Sequence, residues 1–213
     1  MPYIFGFVSQ KGGVGKSTLA RAAAVALAKS EYRVKLCDLD VQQGSTIDWY
    51  RRRLQHQAPP LASVQSYRSV EDALANGLDM APGFDAIVID AAGRSSEATL
   101  KLAQQAHVLI QPTSGTLDDL DPAIRLFHDL RNKGIPAKKL ILVLSRTTTE
   151  AEQDMAREYV SQTGYRMLKT AIPDRSGYKL AQNMGNTILE TSFPSLNERT
   201  EALIDEMLDF LKE

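Results

Sequence analysis

The stretch Gln10-Lys11-Gly12-Gly13-Val14-Gly15-Lys16-Ser17-Thr18 follows the apolar run Tyr3-Ile4-Phe5-Gly6-Phe7-Val8 and precedes an alanine-rich segment from Leu19 to Lys29. The order is strand, glycine loop, helix start. Glycines let the backbone curl so that successive N–H groups point at phosphate oxygens, and the helix N-terminus adds a positive dipole. Lys16 is placed to reach the terminal phosphates, and the Ser17 hydroxyl suits a magnesium ion. The stretch reads as a phosphate-binding loop.

Outward from the loop, apolar runs of strand length recur between helical patterns: Val34 to Leu39, Ala86 to Ile89, Val108 to Ile110, Leu140 to Leu144 and a weaker Met167 to Ile172. Helical periodicity is expected over residues 17–29, 47–55, 70–76, 96–105, 120–132, 150–163, 179–184 and 196–212. This alternation predicts an α/β fold with a mostly parallel, twisted sheet flanked by helices. Strands that are apolar throughout are covered on both faces, and ligands of such sheets bind at the carboxyl ends. No linker-like stretch or repeat interrupts residues 1–213, so one nucleotide-binding domain is expected.

The chain has 213 residues, 43% hydrophobic and 24% charged, with a net charge of −1. That balance gives no global attraction to polyanions, so contact with nucleic acid needs a local patch. A single cysteine, Cys37, cannot form an intrachain disulfide, and no apolar run approaches the roughly 18 to 20 residues that span a bilayer. A cytoplasmic protein that does not cross a membrane is expected.

Where the common phosphate loop has its first glycine this chain has Gln10, and a second lysine, Lys11, opens the loop. In this it resembles the deviant Walker A motif, Lys-Gly-Gly-x-Gly-Lys-[Ser/Thr], of the ParA/MinD family of ATPases. The resemblance implies a P-loop NTPase that binds ATP and Mg²⁺ through Lys11, Gly12, Gly13, Val14, Gly15, Lys16, Ser17 and Thr18. It also implies that Lys11 reaches across a dimer interface to the partner's nucleotide, and that Lys11 and Lys16 serve catalysis. Nothing precedes the first strand, so the resemblance is to the short form that lacks an N-terminal DNA-reading extension.

Two acidic segments follow. Asp38-Leu39-Asp40-Val41-Gln42 is similar to the family's Asp-x-Asp-Pro-Gln, with Val41 in place of proline. Carboxylates at alternate positions of an extended chain point to opposite sides. By resemblance Asp40 orients the attacking water and Asp38 supports the metal shell. A plainer reading, acidic residues at a strand end capping the next helix, stays open. Phe84 to Asp90 is an apolar strand ending in a carboxylate, the Walker B pattern, and Asp90 is expected beside Ser17 in the metal shell. Ala91, Ala92 and Gly93 stand where the family often has Thr-Pro-Pro.

Later segments resemble the family less. Gln111-Pro112-Thr113-Ser114 with Leu117-Asp118 is similar to the stretch lining the dimer face, or is a proline-led turn before a helix. Ser145-Arg146 stands where the family has Asn-Arg near adenine, and the shorter serine leaves the base open between adenine and guanine. Pro173 and Asp174 resemble the late Ile-Pro turn beside the base; a strand-to-helix turn capped by Asp174 is the alternative.

By resemblance to the partition branch, an ATP-bound homodimer binds nonspecific DNA and a partner protein stimulates hydrolysis, which places the protein on the nucleoid when ATP is bound. Arg157, Arg166, Lys169, Arg175 and Lys179 are the candidate DNA contacts, set among acidic residues; each taken singly also reads as a solvated surface charge. Arg51-Arg52-Arg53 beside Trp49 and Tyr50 reads as a phosphate or partner contact, or as a helix packing Trp49 inward. The C-terminal helix carries Leu203, Ile204, Met207, Leu208 and Leu211 on one face, with seven acidic against two basic residues from Asn186 onward. A helix lying on a membrane is basic on its polar face, so this one is expected to pack on the core, unlike the tail of a MinD-like positioning ATPase. An ATP-dependent ligase of the cobyrinate amide synthase or dethiobiotin synthetase type is the rival from another class; Lys11 favours the ATPase.

Overall fold

The computed structural model describes residues 1–78, 83–93 and 96–210, with Ser96 given by its backbone alone. Its strands are β1 (Tyr3–Phe7), β2 (Val34–Asp38), β3 (Ser63–Ser66), β4 (Ala86–Asp90), β5 (Val108–Thr113), β6 (Leu140–Thr147), β7 (Arg166–Met167) and β8 (Ile172–Pro173). They form one parallel sheet in the order β3-β2-β4-β1-β5-β6-β7, with β8 pairing on β6. The helices are α1 (Lys16–Lys29), α2 (Ser45–Gln55), α3 (Val70–Leu78), α4 (Ser96–Gln105), α5 (Leu117–Asn132), α6 (Glu150–Ser161), α7 (Ser176–Asn183) and α8 (Pro194–Asp209).

Both sheet faces are covered, as the uninterrupted apolar strands require. Along β1, Ile4 enters one apolar cluster with Leu74, Leu102, Phe127 and Val160 from α3 to α6. Phe5 and Phe7, from the opposite pleat, enter the other with Leu19, Trp49 and Leu203 from α1, α2 and α8. Phe5 and Phe7 are fully buried, each stabilising the fold by about 1.5–3 kcal/mol. The C-terminal helix thus packs on the core through Leu203, Ile204 and Met207; Leu211 and Lys212, also expected in it, lie outside the described residues.

Strand β3 carries no apolar run. It is an edge strand whose polar side chains serve a buried cation: Lys35 of β2 donates to Gln65 and Asn76, both at 2.8 Å. The Lys35 ammonium also lies over the rings of Tyr67 and Phe84. The weak run from Met167 to Ile172 resolves into two short strands, β7 and β8, rather than one. Four helices begin two or three residues earlier than their apolar periodicity, at Ser45, Leu117, Ser176 and Pro194, because first turns without core residues carry no periodic signal.

Strands β1, β2 and β4 are neighbours in register, Phe7 beside Asp90 and Asp38 beside Asp90. Their carboxyl ends therefore deliver the glycine loop and both acidic segments to one place.

Candidate nucleotide site

The loop after β1 turns on two glycines in the left-handed region, Gly13 at φ +82° and Gly15 at φ +99°. A Cβ on Gly15 would sit 2.6 Å from Ser145 Oγ, so residue 15 must be glycine for conformation and for space alike. Arg146 is itself at φ +61° and donates its guanidinium to the Gly13 carbonyl. Ser145 and Arg146 thus buttress the loop from β6, a role the sequence did not indicate. They also line the cleft, about 330 Å³, that opens over Gly13, Gly15, Lys16, Ser17 and Thr18. The far wall of that cleft is Pro173, Asp174, Arg175 and Lys179.

The acidic centre adjoins the cleft through Lys16, Ser17, Arg21 and Ser45, which line it. Lys16 Nζ donates to Asp90 Oδ1, and Asp90 Oδ2 accepts from Thr46 Oγ1 at 2.8 Å. Asp90 and Asp38 are both fully buried. Asp38 accepts the backbone amides of Asp40 at 3.0 Å, Thr46 at 3.1 Å and Ile47 at 3.4 Å. It therefore anchors the first turn of α2 and the loop before it, the capping geometry that the sequence left open. Burial, and then the neighbouring Asp90 charge, raise the Asp38 pKa above the usual carboxylate value, against the three amides. Asp40 Oδ1 accepts the Gln43 amide at 3.2 Å and its carbonyl accepts Gly44 N at 2.7 Å. Asp40 so stands on a single tight turn between Asp38 and α2.

Three residues absent from the sequence reading complete this centre. Arg21, one turn along α1 from Ser17, donates to Thr46 Oγ1 and Ser45 Oγ, each at 3.0 Å. Ser45 Oγ in turn donates to Ser17 Oγ at 3.4 Å. Burial lowers the Arg21 pKa to about 10, against Asp90 and Asp38, which raise it; the side chain stays charged at neutral pH. A lone arginine in an alanine-rich helix was the available signal, and it needed the fold to bring α2 opposite.

Lys11 does not point into the acidic centre. Its Nζ pairs with Asp119 of α5 at 2.8 Å, and the side chain stays 45% exposed. Asp119 also accepts from Ser114 Oγ at 2.6 Å. The segment Gln111 to Ser114 therefore lies beside the outer lysine, and its helix begins at Leu117.

The remaining candidates divide. Thr18 Oγ1 donates to Gln182 of α7 at 2.8 Å, tying the loop to the Pro173–Asp174 side. Asp174 pairs with Lys179 at 2.7 Å. Arg175 and Lys179 border the cleft, whereas Arg166 lies at the amino end of β6, opposite Ile141. Arg157 donates to the Lys169 carbonyl at 2.7 Å, and the Lys169 amide is held by Glu206 at 2.7 Å. The five basic candidates thus do not share one face. In the α2 cluster Trp49 is fully buried, and Arg53 forms a buried fork with Glu190 at 2.8 and 2.9 Å; Arg51 is exposed.

The donor set fits a nucleotide with magnesium: a curled glycine backbone at a helix start, a lysine, a serine hydroxyl and two buried carboxylates supply the hard oxygens and cations that phosphates and Mg²⁺ require. Ser17, with Asp38 and Asp90 behind it, would hold the metal. A parallel α/β sheet with this loop after its central strand defines a P-loop nucleotide-binding protein. Residues 5–188 match the CobQ/CobB/MinD/ParA nucleotide binding domain, and the chain belongs to that family. It is similar to protein virC1 of Rhizobium radiobacter, 33% identical over 125 residues, spanning 57% of this chain and about half, 53%, of that protein. The fold matches a ParA family ATPase from Chlorobium tepidum TLS, with TM-score 0.70, 20% identity and coverage of 98% and 99% of the two chains. It also matches the septum site-determining protein MinD complexed with Mg-ADP from Pyrococcus horikoshii, with TM-score 0.72, 16% identity and coverage of 100% and 98%. Among the described residues no helix is long and apolar enough to cross a membrane.

Proposed function

We propose that this chain is a ParA-type ATPase that closes into an ATP-dependent sandwich dimer, binds nonspecific DNA in that state and hydrolyses ATP to move or position a plasmid, chromosome or protein cargo. The observation that carries this reading is the separation of the two loop lysines. Lys16 turns inward to Asp90, while Lys11 is half exposed on the outer side and paired with Asp119. A single phosphate site needs one such lysine; a second, exposed and outside the cleft, suits a phosphate brought by another protomer.

In this reading the loop amides and Lys16 bind the phosphates and offset their charge, and Ser17 offers its hydroxyl to Mg²⁺. Asp40, on its tight turn, orients the attacking water. The partner's Lys11 completes the charge only on assembly, so turnover follows dimerisation. A partner protein that accelerates hydrolysis would set the timing, with the ATP dimer on the nucleoid and the released monomer in the cytoplasm.

The test is duplex DNA binding with no nucleotide, Mg-ADP and Mg-ATP across a salt series, for wild type, Lys16→Ala and Lys11→Gln. Binding confined to Mg-ATP, steeply salt-sensitive and lost in both variants, is expected. Mg-ATP dimers without DNA binding would redirect the reading to a protein scaffold, and nucleotide-independent monomers to the ligase class.

A further inference from the structure

We infer that Arg21 is a positioning residue that couples magnesium-nucleotide occupancy at Ser17 to the Asp40 turn and to helix α2. The inference rests on the nucleotide-site reading above and adds a residue to it. Arg21 leaves α1 one turn after Ser17 and is nearly fully buried, yet it borders the cleft. Its fork spans two adjacent hydroxyls, Nε to Thr46 and Nη2 to Ser45. Each hydroxyl has a second partner in the phosphate centre: Thr46 donates to Asp90 at 2.8 Å, and Ser45 donates to Ser17 at 3.4 Å. The guanidinium therefore fastens the first two residues of α2 to the proposed magnesium ligand and to the carboxylate that Lys16 engages.

Behind this fork, the Arg21 guanidinium carbon lies 5.6 Å from the centroid of the Trp49 ring. Trp49 is fully buried and donates its indole N–H to the Asn186 carbonyl at 2.9 Å. A change at Ser17 has a direct physical route: once its oxygen ligates a cation, it is a poorer acceptor for Ser45, and Ser45 and Arg21 must re-pair. The displacement acts on α2 through the fork and on Trp49 through the ring contact. Asp40 lies between Asp38 and α2, so the same adjustment sets its aim. A lysine cannot replace the fork, because one ammonium on a flexible stem does not span two fixed acceptors as a planar guanidinium does.

Trp49 is the chain's single tryptophan, so its fluorescence reports on this contact. The experiment titrates Mg-ADP and Mg-ATP into wild type, Arg21→Lys, Arg21→Met and Ser45→Ala, reading Trp49 emission, with calorimetric binding, steady-state turnover and thermal unfolding in parallel. Wild type is expected to change emission in step with binding. The three variants should bind nucleotide near the wild-type affinity, lose most of the emission change and turn over about tenfold more slowly or worse, as misplaced reacting groups do. A Ser45→Ala or Arg21→Lys protein that keeps the wild-type emission change and turnover overturns the inference. Should Arg21→Met fail to fold, Ser45→Ala decides alone. Calorimetry separates the two levels of the argument: wild type that binds no nucleotide fails the site reading and this inference with it, whereas wild type that binds with silent Trp49 fails the inference only.

Discussion

Lys11 Nζ lies 2.8 Å from the carboxylate of Asp119 in the same chain, and Asp119 in turn accepts the Ser114 hydroxyl at 2.6 Å. Against the upward push of burial, the hydrogen bonds from Lys11 and Ser114 hold the Asp119 pKa below the usual carboxylate value. If Lys11 serves another protomer, as proposed, this pair must open first. Asp119→Asn should therefore shift Mg-ATP dimerisation to lower protein concentration, while Lys11→Gln abolishes it. Analytical ultracentrifugation over a concentration series measures both. Because the pair is partly exposed, Asp119→Asn should lower stability by less than about 1 kcal/mol; an unchanged dimerisation curve would mean that the pair does not compete with assembly.

Asp40 is half-buried on the turn between Asp38 and α2, where its Oδ1 accepts the Gln43 amide at 3.2 Å. Asp40→Ala should cut turnover by about 10²-fold or more while leaving nucleotide binding intact, so that Mg-ATP dimers accumulate. Single-turnover hydrolysis with parallel sizing reads this. Normal turnover in that variant would move the water-orienting role to another carboxylate.

The Arg53–Glu190 fork fixes α2 to the segment before α8, with Arg53 also donating to the Gly185 carbonyl at 3.2 Å. Glu190→Ala leaves a buried guanidinium without its counter-charge and should destabilise by about 3–5 kcal/mol. Burial pushes the Glu190 pKa up, but the Arg53 and Thr187 hydrogen bonds outweigh it and hold the folded carboxyl below the usual glutamate value. The unfolded carboxyl therefore takes its proton first. The stabilisation is complete above the unfolded value and is lost as pH falls through the folded one. As pH falls through and below the usual glutamate range, Glu190→Gln should show a shallower loss of unfolding free energy than wild type, measured by denaturant titration; parallel curves would show that the pair is not linked to acid unfolding.

Gly185 is at φ +75°, and a Cβ there would lie 2.2 Å from Arg53 N. Gly185→Ala combines left-handed strain of about 1–2 kcal/mol with a backbone clash. It should unfold well below wild type in a thermal scan, whereas Gly134→Ala, also at positive φ but with open space around it, should show the strain alone. Equal losses at the two positions would remove the clash from the account.

If DNA is held from the cleft side, Arg175→Ala should reduce the slope of log affinity against log salt by about one and Arg166→Ala should not, since the two lie at opposite ends of the sheet. The reverse pattern would place the contact on the amino edge of the sheet, and no change in either would exclude both residues.

The sequence by itself determined the phosphate loop, the alternating strands and helices, and the carboxylates at the ends of β2 and β4. Those features are local: glycine spacing, a run of apolar residues and the residue that ends it are all written within ten positions. It missed β3, which carries no apolar run and whose Gln65 acquires a role only once Lys35 of β2 is packed beside it. It missed Arg21, Ser45 and Thr46, because an arginine on α1 and two hydroxyls at a helix start acquire a role only when the parallel sheet sets α2 beside α1. Only the tertiary structure decided that Asp38 holds backbone amides, that Arg53 is buried on Glu190 and that Lys11 rests on Asp119. The last two join residues more than 100 positions apart, and the Asp38 amides, only two to nine positions away, are placed by the packing of α2; the free energy of a buried or charged contact depends on what packs around it, which no window of sequence contains.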